Sequence, residues 1–355
     1  MTWRDATLGD VITLKRGYDL PNDSRIEGDI PVVSSSGITG YHNEAKIKAP
    51  AVVTGRYGTL GEVYYVEQDC WPLNTALYVK DFKGNRPKYV HYFLKNILRG
   101  MQSDKAAVPG VNRNDLHARK VIYAESDSLQ KNIEDLLSPY DELIDNNLRR
   151  IKLLEDTARL LFKEWFLLFR FPGHEYVKIS NGLPEGWTKE PLENLLILQR
   201  GFDLPVDRRK DGDIPIIAST GVNGYHNEAK VSGPGVVTGR SGSLGTVMYI
   251  SKNFWPLNTA LWVKEFKKVS PIFATFLLRS MGLQNYNGGA AVPTLNRNDV
   301  HKVEVVCPDT KSIEAFDEYV NPVFKQIELL EEHNKKLSMA RDLLLPRLMN
   351  GDITV

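Results

Sequence analysis

The sequence predicts an α+β chain: two similar, mostly β domains separated by two long helices that form an antiparallel coiled coil, with a pseudo-twofold internal repeat. Three observations predict it. The second half repeats the first at a fixed offset, each copy alternates short β-branched runs with Gly and Pro, and each copy is followed by a long heptad seam.

The repeat comes first because it organises everything else. Residues 15–82 and 199–266 align without a gap at an offset of 184. Roughly 40 of the 68 positions are identical. The same offset pairs Trp3 with Trp187 and residues 106–117 (AAVPGVNRNDLH) with 290–301 (AAVPTLNRNDVH). Solenoid units run about 20–50 residues, so a period this long makes each copy a domain.

Within a copy, DIPVVSS, PAVVTGR, EVYYVE and TALYVK read as strands separated by tight turns. Residues 87–102 and their partners 271–284 read as an amphipathic helix. The expected divisions are a first domain at 1–127, a helix at 128–170, a second domain at 171–310 and a helix at 311–355.

The segments after each copy carry the third observation. From Ile133 through Asn147 to Trp165, seam residues recur in alternating steps of four and three, and the same holds from Phe316 through Asn334 to Leu348. Each helix would be about 50 Å long at 1.5 Å per residue. Pro139, Pro322 and Pro346 fall inside, so local kinks or late starts are expected. The antiparallel register that sets Ile133 opposite Leu348 also sets Asn147 opposite Asn334. Facing amides can bond each other, whereas an amide facing Leu is left unpaired, so this register is preferred over heptad shifts.

Bulk properties exclude several classes. Net charge is +1 and apolar content is 42%. Residues 1–127 hold 17 basic and 15 acidic residues, and 187–310 hold 14 and 11, so the two domains are mildly basic and the rest acidic. No run of about 18 apolar residues suggests a membrane span. The start, MTWRDATLGDV, lacks a signal-peptide core, and Cys70 and Cys307 are the only cysteines, so a reducing cytoplasm is expected.

This layout resembles the specificity subunit of type I restriction-modification systems, in which target-recognition domains alternate with long helices. The matching elements are Trp3 with Leu8-Gly9, Trp187, GDIP at 28–31 and 212–215, and GYHNEAK at 40–46 and 224–230. They continue with VVTGR-x-G-x-L-G at 52–61 and 236–245, WPLNTAL at 71–77 and 255–261, and VPxxNRND at 108–115 and 292–299. The resemblance implies a non-catalytic chain that reads one half of a bipartite double-stranded DNA site with each domain. It implies that the helix pair sets the spacing and docks two methyltransferase subunits. No cofactor belongs to this chain: S-adenosylmethionine sits on the methyltransferase, and ATP and Mg on a restriction subunit where one is present. Two domains so alike should read similar half-sites of about 3–5 bp in inverted orientation, giving a near-palindromic target.

Candidate DNA contacts fall in three places. Tyr41, His42, Asn43 and Lys46, with Tyr225, His226, Asn227 and Lys230, lie in Gly-bounded segments and carry groups that read base edges or grip phosphate. The alternative for this segment is a turn with a capping Asn. Arg56 and Arg240 sit in Thr-Gly-Arg turns, poised for phosphate or guanine, or for a structural ion pair with Asp29 or Asp213. Tyr57 becomes Ser241, so the halves need not read identically. Arg113 and Arg297 precede the helices and can touch phosphates, while Asn114-Asp115 reads as capping chemistry. Asn74-Thr75, Asn258-Thr259, Trp71 and Trp255 read as structural.

Catalytic readings fare poorly. Asn321-Pro322-Val323-Phe324 lacks the second Pro of a methyltransferase tetrapeptide, and no phosphate loop exists. No Cys/His cluster has zinc spacing. Asp29 with Glu44 and Lys46, repeated as Asp213 with Glu228 and Lys230, mimics a Mg-dependent nuclease, and a non-DNA-binding scaffold is the third class.

Overall fold

The computed structural model describes residues 3–100, 110–288 and 293–355. Residues 106–109 and 290–292, the first part of the repeated AAVP motif, lie outside the described residues, as do 101 and 102 of the expected first helix. The chain forms two compact units, residues 1–147 with 331–355, and residues 148–330. Each unit takes one β domain together with part of both long helices.

Unit 1 opens with β1 (Trp3–Thr7), a short helix α1 (Leu8–Val11) and β2 (Thr13–Arg16). Then come β3 (Ile30–Ser34), β4 (Gly37–His42), β5 (Ala51–Gly55), β6 (Val63–Val66), β7 (Trp71–Pro72) and β8 (Ala76–Asp81). Helices α2 (Pro87–Leu98) and α3 (Arg113–Ala118) follow, then β9 (Lys120–Ala124) and the 36-residue α4 (Asp127–Phe162). A four-stranded sheet runs β2-β8-β5-β6, a three-stranded one β4-β3-β7, and β1 pairs with β9. The sequence AVVTG is buried along its whole length because β5 is covered on both faces. Val52 packs with α2 residues such as Phe93, while Val53 packs with Val33 of the other sheet.

Unit 2 repeats this topology after a small hairpin, β10 (Ile179–Ser180) with β11 (Leu183–Pro184). Its strands are β12 (Thr188–Pro191), β13 (Leu196–Arg200), β14 (Ile214–Ala218), β15 (Gly221–His226), β16 (Gly235–Gly239), β17 (Val247–Ile250), β18 (Trp255–Pro256) and β19 (Ala260–Phe266). Helices α5 (Pro271–Ser280) and α6 (Arg297–His301), strand β20 (Glu304–Cys307) and the 40-residue α7 (Thr310–Met349) complete it. The sheets run β13-β19-β16-β17 and β15-β14-β18, with β12 on β20. Both α2 and α5 are shorter than expected: α5 stops at Ser280, and a 3₁₀ turn at Leu283–Tyr286 follows.

The two long helices start without delay, and their prolines sit inside continuous helix. In unit 1, Ile133 and Leu137 share a cluster with Leu345 and Leu348. Asn147 Nδ2 donates to Asn334 Oδ1 at 2.8 Å, so the buried Asn147 amide and the half-buried Asn334 amide face each other. Arg341, a polar seam residue, is held by Asp141. In unit 2, Phe162 and Trp165 pack on Phe316. Beyond Phe162 the helix loosens into a π turn at Lys163–Leu167.

Candidate nucleic-acid interface

The strand pairing builds a cationic cleft. Arg200 ends β13 opposite Leu261 of β19, and β19 also pairs with β16, whose end leads into Arg240. Leu295 N donates to Arg240 O at 2.7 Å, which ties this turn to the segment before α6. Arg200, Arg240 and Arg297 therefore line one cavity of ≈ 380 Å³, together with Asn296 and Asn298. Copy 1 makes the same links: Arg16 lies opposite Leu77, and Val111 N donates to Arg56 O at 2.9 Å.

Arg16, Arg56, Arg200 and Arg240 are each held by their neighbours. Arg56 donates to Asn74 O at 3.4 Å and Arg240 to Asn258 O at 3.3 Å. Neither forms an ion pair with Asp29 or Asp213, because the carbonyls of the WPLN turns take that role. The Asn74 amide in turn binds Asp19, which pairs with Arg16 at 3.7 Å, and Asn258 binds Asp203, which pairs with Arg200 at 3.4 Å. Asn74 and Asn258 are structural in the sense expected, but what they position is an arginine pair. Arg113 is exposed and bonds Asn114 Oδ1 at 3.2 Å. The capping residues are Asn112 and Asn296, which accept from Asn114 N and Asn298 N, rather than Asn114 itself.

The GYHNEAK segments are hairpin strands that run into turns. Tyr41 and Tyr225 are 55% and 52% exposed, and Asn43 and Asn227 are exposed. His42 and His226 are only 4% exposed. Their Nδ1 atoms accept from Ile26 N and Lys210 N at 3.0 Å, and their rings stand edge-on to Trp71 and Trp255. These two histidines are thus turned inward, and the outward groups are their neighbours. Lys46 lies 4.5 Å over the Trp71 ring and bonds Glu44 at 2.6 Å; Lys230 repeats this over Trp255 with Glu228 at 3.1 Å. The hydrogen bond from Lys46 holds the Glu44 carboxyl below the usual range, and Lys230 does the same to Glu228.

Sequence reasoning misses two features. Arg16 and Arg200 are the first, and the signal that could find them is that the repeat keeps both, in KRGYDL and QRGFDL. His117 and His301 are the second: the last residues of the NRNDLH and NRNDVH motifs, they accept through Nε2 from Leu14 N and Leu198 N at 2.9 Å. Burial pushes both imidazoles down, which favours the neutral, accepting form. Among the described residues no group of His, Cys, Asp and Glu could hold a metal ion, and no helix is long and apolar enough to cross a membrane.

Known proteins match this arrangement twice over. The type I restriction modification DNA specificity domain family matches residues 1–156 and again 184–339. The MjaIX specificity subunit of Methanocaldococcus jannaschii is 23% identical over 301 residues, covering 76% of this chain and 68% of that protein. The HindI specificity subunit of Haemophilus influenzae is 39% identical over 67 residues, 19% of this chain and 15% of that protein. A solved S subunit of a type I restriction-modification system from M. genitalium superposes with a TM-score of 0.59 at 15% identity, over 98% of this chain and 96% of the other. With the domain matched twice, across both copies, the chain belongs to the family of type I restriction-modification specificity subunits.

Proposed function

We infer that each β domain reads one half of a bipartite DNA site through the cleft of Arg16, Arg56 and Arg113 or of Arg200, Arg240 and Arg297. The observation that carries this is the arginine-lined cavity of copy 2, whose strand pairing and turn-to-turn hydrogen bond recur at the matching residues of copy 1. Guanidinium groups fixed by carbonyls and carboxylates are suited to phosphate or guanine. Tyr41, Asn43 and Lys46, with Tyr225, Asn227 and Lys230, add a second contact strip on the exposed hairpins. Because the copies are alike, the half-sites are similar and inverted.

The long helices set the spacing and dock two methyltransferase subunits, which bring S-adenosylmethionine. Exposed leucines support a docking role: Leu136 and Leu143 on the unit 1 part of α4, and Leu153 and Leu160 on its unit 2 part. This chain supplies no catalytic step and works in the cytoplasm, and a restriction subunit with ATP and Mg completes the machine where one is present. The nuclease reading of Asp29, Glu44 and Lys46 finds no support.

The test is salt-dependent binding of the chain, with its modification subunit, to duplex DNA. Affinity should fall steeply as salt rises. Arg56→Ala/Arg240→Ala should shrink the slope of log K against log salt by about 0.9 for each phosphate no longer neutralised. Affinity indifferent to salt would favour the scaffold reading.

A further inference from the structure

Two positions at the lip of the cleft have changed together between the copies. Residue 57 is Tyr and its counterpart 241 is Ser; residue 110 is Gly and its counterpart 294 is Thr. The fold sets the members of each pair against one another, since Tyr57 bridges Gly110 and Ser241 bridges Thr294 in antiparallel fashion. A Cβ on Gly110 would stand 2.7 Å from Tyr57 Cε1 and 2.8 Å from Cδ1, closer than carbon atoms approach. Gly110 does not occupy the left-handed region, so the tyrosine ring, and not the backbone conformation, is what a side chain there would have to displace. Ser241 has no ring, and Thr294 fits beside it. The exchange is therefore coupled: a Thr at 110 would have to displace the Tyr57 ring, whereas Thr294 stands opposite a serine.

What the two pairs present outward differs. Tyr57 is 42% exposed and carries the Arg56 guanidinium 4.3 Å from its ring centroid, with Arg56 Nη2 donating to the Tyr57 hydroxyl at 3.2 Å. Copy 1 thus offers a ring-backed arginine, held in one orientation. In copy 2, Arg240 keeps the bond to the Asn258 carbonyl with Ser241 where the ring would be. The Ser241 hydroxyl can bond either type of base edge, whereas an oriented guanidinium selects guanine.

The geometry points to the pair Tyr57–Gly110, set against Ser241–Thr294, as the element that makes two otherwise similar half-sites differ at one position. This rests on the half-site reading above. Copy 1 selects the base pair facing Tyr57 and Arg56, and copy 2 accepts a different or less restricted base pair at the matching place.

The experiment maps adenine methylation by single-molecule sequencing in cells that express the modification subunit with the wild-type chain, with Tyr57→Ser/Gly110→Thr, or with Ser241→Tyr/Thr294→Gly. Each double substitution installs a pair that the other copy already accommodates. As a folding check, Gly110→Thr alone should lower the melting temperature, and adding Tyr57→Ser should restore it. The wild-type motif should have halves that match except at one position. The first double substitution should convert that position in one half to the base of the other, and the second should do the reverse, each changing preference roughly 5- to 150-fold. A motif unchanged by both, or methylation lost while the chain stays folded, overturns this inference alone. Methylation independent of the chain, or a wild-type motif with unrelated halves, overturns the half-site reading and this inference with it.

Discussion

In copy 1 the Tyr92 hydroxyl donates to Asp141 Oδ2 at 2.7 Å, and Arg341 pairs with the same carboxylate. In copy 2 the counterpart of Tyr92 is Phe276, which packs on Phe162, Phe316 and Phe324. The β sheets around these positions share strand order and pairing. The copies therefore kept the sheet framework and diverged where each domain meets the long helices, with a polar junction in unit 1 and an aromatic one in unit 2. Burial opposes the charge on Asp141, but hydrogen bonds from Tyr92 and Arg341 prevail and hold its carboxyl below the usual range.

The largest expected effect tests the aromatic junction. Phe316 is fully buried, with ring centroids 5.2 Å from Phe166 and 5.9 Å from Trp165. Phe316→Ala should cost about 3–5 kcal/mol, and hydrogen exchange should quicken across unit 2 before unit 1. Equal acceleration in both units would break the comparison.

A smaller effect separates the ways the two junction helices are started. The N-terminus of α2 is held by α4: Tyr89 N donates to Glu134 Oε1 and Arg86 N to Gln130 Oε1, both at 2.9 Å, while Arg86 Nε pairs with Glu134 at 2.7 Å. The N-terminus of α5 is capped by Ser270, whose Oγ accepts from Phe273 N at 3.0 Å and donates to Asp317 Oδ1 of α7 at 2.9 Å. Glu134→Ala should cost about 2–3 kcal/mol, less than the loss of a fully buried ion pair because Arg86 is about a third exposed. Ser270→Ala should cost about 1 kcal/mol. Urea unfolding followed by exchange at α2 and α5 would give the order, and a reversed order would contradict this account of the caps.

The smallest effect at neutral pH is at His91, whose counterpart is Thr275. Burial pushes the His91 imidazole down to about 3, with nearby Lys95 adding to the shift. The unfolded chain binds a proton near pH 6.5 that the folded chain refuses, so this group's stabilisation is complete above pH 6.5 and is lost as pH falls toward 3. The slope approaches 1.4 kcal/mol per pH unit inside that window. His91→Thr should remove it, narrowing the gap between the urea midpoints at pH 7 and pH 5. An unchanged gap would remove His91 from the account.

How much was legible in the sequence depended on range. The repeat and the heptad seams are patterns along the chain, and the seams placed Asn147 opposite Asn334 because both helices obey one register. The arginine cleft was only partly legible. Arg56 and Arg113 stood out beside Gly and Asn, but Arg16 joins them through pairing of strands about sixty residues apart, which no local pattern marks. His42 read as a surface group because its neighbours are polar. The strand alternation of β4 turns it inward onto Trp71 instead, while Tyr41 faces out. Tyr92 and Phe276 differ by one oxygen, and the residues that make one junction polar and the other aromatic lie on the long helices, so the domain sequence alone could not separate them.

The central claim is that this chain chooses the DNA sequence its complex modifies. The most direct measurement is the adenine methylation map of cells carrying the modification subunit with and without this chain. A bipartite, nearly palindromic motif that appears only when the chain is present is the predicted result. The same motif in its absence, or no methylation despite a stable complex, would contradict the account.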